Sequence, residues 1–140
     1  MFDNIGSAVK EIVKETEEAA EKTLIDAGKF AREAALKTTK FKVSDTFRQA
    51  TQFQRVDKLS GFVLADKPYA IYLEEGTRAH QIIARNAKCL HFVVNGEHVF
   101  TKSVNHPGNK AYWFMEDARK ELDANIGEMF FSNLSKILKE

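Results

Sequence analysis

The 140 residues hold one cysteine and two prolines. A single thiol, Cys89, excludes an internal disulfide and suits a reducing compartment. Beside a predicted strand it reads as a small buried apolar group. No sign of charge dominates, with 21 basic against 20 acidic residues and a net charge of +1. A dedicated DNA binder presents a basic face that releases phosphate counterions. The mixed charge here favours neither DNA nor an anionic membrane as a partner. No apolar run approaches the roughly 20 residues of a membrane span. The opening MFDNIGSAVKEIV lacks the basic start and apolar core of a secretory signal. There is no glycine-rich phosphate loop, nucleophile elbow, zinc-finger spacing, internal repeat or linker. These absences leave one domain, residues 1–140, with a core that is small relative to its surface.

Eleven phenylalanines are the main compositional excess. They supply either core or subunit interface, where aromatics are enriched. Ile5, Val9, Ile12, Thr16, Ala19, Thr23, Ala27, Phe30 and Ala34 recur every three or four residues. That spacing predicts one long helix over residues 1–39. Between Thr16 and Thr23 the stripe is made of small groups, which permit close helix approach or face a neighbouring subunit. Gly28 costs about 1 kcal/mol against alanine and permits a bend.

Residues 40–104 are predicted to hold short helices and antiparallel strands. Ser44, Asp45 and Thr46 offer N-cap oxygens for a short helix over 45–53, with Gln49 placed for a capping box. A strand is expected at 60–65 and a turn at Asp66-Lys67-Pro68. A short helix over 69–75 ends at Gly76, available for a left-handed cap. Residues 77–88 have no clean period and read as a long polar loop, ordered by a partner. Residues 90–104 hold the best strand signal. Asn95-Gly96 suits a type I′ turn pairing Phe92 with Val99 and Val93 with His98. Residues 105–140 form a turn and a C-terminal helix over 110–139, which Gly127 could kink. The expected class is α+β, with long N- and C-terminal helices packed on a small antiparallel sheet containing a β-hairpin.

Two motifs stand out: YAIYLEEGTRAH at 69–80 and VNHPG at 104–108. Gly76 and Gly108 suit backbone closed to residues with a Cβ. Pro107 fixes its own φ and pushes His106 toward extended backbone. Thr77 can hydrogen-bond backbone at the turn. In order and spacing, Tyr69, Ala70, Glu74, Gly76, Thr77, His80, the aromatic hairpin, Val104, His106, Pro107, Gly108, Phe114 and Ala118 resemble the tail-completion family of long-tailed bacteriophages. The match covers residues 69–118. It departs from the family at Trp113, where a proline is common, and at SDTF (44–47), where Thr-Gly-x-Leu is common.

The resemblance implies a structural virion protein of the neck, a tail-completion or head–tail connector component assembled in the host cytoplasm. Its partners would be its own copies in a ring, six-fold or twelve-fold. Neighbouring neck, portal-adaptor and tail-terminator proteins would join them, with DNA only as passing cargo. Tyr69, Glu74, Gly76, Thr77, His80, His106, Pro107 and Gly108 are then the expected structural and assembly residues. The alternatives are a minor capsid or tail-tube-end protein, or a small metal-binding protein or enzyme.

The chemical readings are thin. His91 and His98 share a hairpin face diagonally and could reach one ion, but no acid of that face completes a set. Glu74 and Glu75 lie near His80, yet adjacent helical residues point in different directions. A general acid–base pair also needs a pocket. No catalytic group, cofactor or metal is expected. Arg78, Arg85 and Lys88 form a modest basic cluster in the 77–88 segment, read as solvated or as a contact to DNA in a channel or an acidic partner.

Overall fold

The N-terminal stripe becomes one continuous helix, α1 (Phe2–Leu36), in the computed structural model, which describes residues 2–139. At 1.5 Å per residue it is about 52 Å long. The C-terminal helix, α4 (Phe114–Lys139), packs antiparallel against it. The pairing is fixed at three levels. Lys37 Nζ meets Glu121 at 2.5 Å, and Lys40 Nζ meets Asp117 at 2.6 Å. Farther along, the Asn133 amide donates to Thr23 Oγ1 at 3.1 Å and Asp26 Oδ2 at 3.0 Å. Ala19, Thr23 and Ala27 are buried. The small residues of α1 therefore serve close approach to α4, one of the two expected uses.

The short helix α2 (Asp45–Ala50) is capped by Ser44, whose Oγ accepts the Phe47 N–H at 3.1 Å. It ends three residues earlier than the sequence pattern predicts. Thr51–Arg55 instead forms β1, paired antiparallel with β2 (Gly61–Ala65). Tertiary contact overrides the helical pattern here. Phe53 lies against Gly28, where an added Cβ would sit 2.5 Å from the ring carbons. Gly28 thus serves the approach of an aromatic ring, and α1 runs on through it unbroken.

The centre of the core is Leu36, Phe47, Phe114, Ala35 and Ala118. The Phe41 ring stands edge-on to Phe114 at 5.1 Å and to Phe47 at 5.8 Å. Such aromatic pairs contribute about 0.5–1.5 kcal/mol beyond area burial. Part of the phenylalanine excess is therefore core.

The helix α3 (Ala70–Glu75) follows, with Tyr69 at its N-cap and Gly76 at its C-cap. The expected long loop over 77–88 is not one. His80–Ile83 forms β3, paired antiparallel with β6 (Ser103–His106), so only residues 78–79 and the stretch between β3 and β4 remain as loop. Every β3 residue is exposed, so the strand has no inward-facing alternation for a sequence pattern to reveal. The hairpin β4 (Leu90–Val94) and β5 (Glu97–Thr101) takes the predicted register, Phe92 opposite Val99 and Val93 opposite His98. Asn95 at φ 51° and Gly96 at φ 83° make the type I′ turn.

The class is α+β. The strands form three two-stranded antiparallel ladders, β1–β2, β3–β6 and β4–β5. The predicted turn at 105–109 begins inside β6, and α4 starts at Phe114 instead of residue 110. Gly127 lies within the continuous α4. Among the described residues, no helix is long and apolar enough to cross a membrane.

Candidate functional site

The two sequence motifs meet in one junction, and its hydrogen bonds explain why α4 begins where it does. Trp113 precedes the helix at φ 52°, and its carbonyl accepts the Asp117 N–H at 2.9 Å. A tryptophan has no side-chain oxygen to cap the first free amides. Glu74, on α3, supplies both. Its Oε2 accepts the Met115 N–H at 2.8 Å and its Oε1 the Glu116 N–H at 3.0 Å. The carboxylate also meets the positive end of the α4 dipole. Backbone bonds close the same seam, from Tyr112 N–H to the Leu73 carbonyl at 2.9 Å and from Trp113 N–H to the Glu74 carbonyl at 3.1 Å.

Thr77 and Asn109 form an isolated antiparallel bridge beside this cap. The Thr77 N–H donates to the Asn109 carbonyl at 2.9 Å. The Asn109 N–H is shared between the Thr77 carbonyl at 3.1 Å and Thr77 Oγ1 at 2.8 Å. Gly76 and Gly108 flank the bridge at φ 75° and 84°. A Cβ on Gly76 would lie 2.6 Å from the Asn109 carbonyl oxygen, and one on Gly108 would collide with the Thr77 carbonyl oxygen. Each glycine is required by its own φ and by the strand opposite it.

His80 and His106 are direct partners in the β3–β6 ladder, their rings stacked with centroids 4.9 Å apart. The His80 Nδ1–H donates to the Arg78 carbonyl at 2.7 Å. His106 Nδ1 accepts the Gly108 N–H at 3.0 Å and so carries no proton in this arrangement. Tyr69 stacks on Phe47 at 6.0 Å, tying the first motif to the core.

Tyr69, Gly76, Thr77, Arg78, His80 and His106 line one open cleft of about 850 Å³. Pro107 lies on a neighbouring apolar cleft, and Glu74 is turned away into the helix cap. Arg85 and Lys88 are exposed in the segment after β3 and do not line the cleft of Arg78, so the expected basic cluster is spread along the chain. Sequence reasoning missed Asn109 and Asn133, and it marked Trp113 only as a departure from the family pattern. The positive φ of Trp113 has no sequence signal. Asn109 works through its backbone, so its side chain could not have revealed it.

His91 Nε2 and His98 Nδ1 lie 2.8 Å apart as a hydrogen-bonded, stacked pair. Among the described residues no group of three or more His, Cys, Asp or Glu side chains is placed to hold a metal ion. The apolar hollow between α1, the β1–β2 ladder and α4, about 350 Å³, is lined by Leu24, Phe53, Phe62 and Leu122, with Arg119 as its one charged group. Comparison of the chain with family models, curated proteins and solved structures finds no match.

Proposed function

We propose that the chain is a structural subunit of the neck of a tailed bacteriophage, a tail-completion or head–tail connector component that forms a ring joining the capsid portal complex to the tail. The observation that carries this reading is the junction itself. The residues behind the resemblance act on shape: Glu74 caps α4, Thr77 bridges to Asn109, and Gly76 and Gly108 permit the close backbone crossing. An assembly subunit needs rigid relative placement of its surfaces more than it needs reactive groups.

Exposed surface supports the same reading. The chain exposes 10647 Å², against about 7,400 Å² for a compact monomer of its mass. The difference, roughly 3,300 Å², exceeds the ~800 Å² that each partner gives to a standard interface. A ring subunit uses two such surfaces, one toward each neighbour. Ile71, Tyr72, Phe100, Trp113 and Phe131 are among the large apolar side chains left in solvent.

The test is disruption of the gene in its native phage or prophage genome, followed by electron microscopy of the released particles. Filled heads and complete tails that fail to join are the expected result. Normally joined, infectious particles would remove the chain from the neck.

A further inference from the structure

Helix α1 outruns its partner. Near its C-terminal end, α4 places Asn133 on Thr23 and Asp26, and Ile137 is buried one turn later. Toward the N-terminus of α1, Ala19 is the last fully buried residue, and every residue from 5 to 14 is exposed. That stretch is about 15 Å of helix with nothing packed on it among the described residues. It is not a polar arm. Ile5, Val9, Ile12 and Val13 fall on one face, with Val9 54% and Ile12 59% exposed. An isolated helix of this length is marginal in water, and its apolar stripe is buried only by another surface.

A surface of matching character lies at the opposite end of the molecule. An apolar cleft of about 460 Å³ opens between β4 and the β3–β6 ladder, lined by Ile82, Leu90, Phe92, Val104 and Pro107. Val94, 47% exposed, continues the Leu90–Phe92 face of the adjoining hairpin. The β3–β6 ladder joins the amino end of α4 through the Thr77–Asn109 bridge, whereas the arm projects beyond the carboxyl end. The length of α4, about 39 Å, separates them. The arm cannot reach its own cleft.

The base of the arm and the region of the cleft are opposed in charge. Residues 15–18 carry Glu15, Glu17 and Glu18 and no cation, while residues 5–14 carry Glu11 against Lys10 and Lys14. Residues 77–110 carry Arg78, Arg85, Lys88, Lys102 and Lys110 against Glu97 alone. Among the described residues none of these five cations is ion-paired.

We infer that the N-terminal arm of α1 docks on the β3–β6/β4–β5 cleft of a second copy of this chain, head to tail. Apolar side chains supply the burial, and the acidic and basic flanks supply orientation. A patch that binds a different patch makes a heterologous contact, which propagates until rotation closes a ring. The inference deepens the neck proposal and rests on it only for ring closure; the contact between copies stands on the geometry and charge described.

Native Cys89 lies next to Leu90 at the cleft and provides a probe. The chain carrying Val9→Cys, oxidised mildly at high concentration, should give a ladder of dimers, trimers and larger species on a non-reducing gel. Mass spectrometry should find residue 9 linked to residue 89. Dimers linked 9 to 9 alone, or no cross-link, overturn the contact. In sedimentation, Glu17→Lys with Glu18→Lys should weaken self-association about tenfold, a 1.4 kcal/mol change, with unaltered melting. Arg85→Glu with Lys88→Glu in the same chain should restore it, and a failure of that rescue counts against the pairing. A parent chain that stays monomeric at every concentration refutes the docking. The neck assignment is read separately, from the joined or unjoined particles.

Discussion

The carboxylate of Glu74 holds the amide of Met115 at 2.8 Å, so a side chain on one helix sets the starting point of another far along the chain. The helix that receives the cap has only Trp113 at its own N-cap position. Replacing Glu74 with alanine leaves two helix amides without their acceptors. The expected cost is about 1–2 kcal/mol in urea unfolding. Glu74→Gln keeps one acceptor oxygen and should fall between parent and alanine variant. An alanine variant as stable as the parent would mean that water caps the helix equally well.

Gly108 and Gly96 separate two reasons for a glycine. Both have φ near 84°, but a Cβ on Gly96 meets nothing within 4 Å, while one on Gly108 meets the backbone of Thr77 and Arg78. Gly96→Ala should lose only the conformational term, about 1 kcal/mol. Gly108→Ala should lose distinctly more, because backbone on the facing strand must move. Equal losses in thermal melts would show that the crossing relaxes freely.

Gly28 is a third case, inside a helix and without positive φ. Alanine there should gain about 1 kcal/mol in helix propensity. Its Cβ would collide with the Phe53 ring, so the net effect in the parent should be destabilising. In a Phe53→Ala background the same substitution should become stabilising. A double-mutant cycle by denaturant melts reads the change of sign.

Asp57 offers a pH test at the β1–β2 turn. Its Oδ1 accepts the Leu59 N–H at 2.9 Å, and that bond, followed by one to the Ser60 side chain, holds its pKa below the ordinary aspartate value. A carboxyl with a lowered folded pKa contributes stability above its unfolded pKa. The contribution is lost as pH falls through the folded value. The stability difference between parent and Asp57→Ala should therefore shrink in acid, measured by urea melts at neutral and at low pH. A difference independent of pH would remove the charge from the explanation.

What could be read from the sequence was whatever repeats locally. The stripe of α1, the Asn95-Gly96 turn with its register and the short helix ending at Gly76 each carry their signal within a few residues. β3 carried none. Its pairing with β6 spans the whole β4–β5 hairpin, and its residues face solvent on both sides. β1 was hidden differently, since Thr51 and Phe53 take strand geometry from what they pack on. At the candidate site the glycines, Thr77 and His106 were legible as turn chemistry. The role of Glu74 was not, because its partners are backbone amides of a distant element.

Asn133 is the polar notch in the α1–α4 seam, bonded at once to Thr23 and Asp26. Sliding the two helices by one turn, about 5.4 Å, would strand that amide against apolar neighbours. The small residues of the seam, Ala19, Thr23 and Ala27, offer little resistance to such a slip, and the Lys37–Glu121 and Lys40–Asp117 pairs resist it at the other end. Asn133 thus acts with those pairs as a detent that sets the free length of α1. The reach of the protruding helix is thereby written into the sequence to within a single turn.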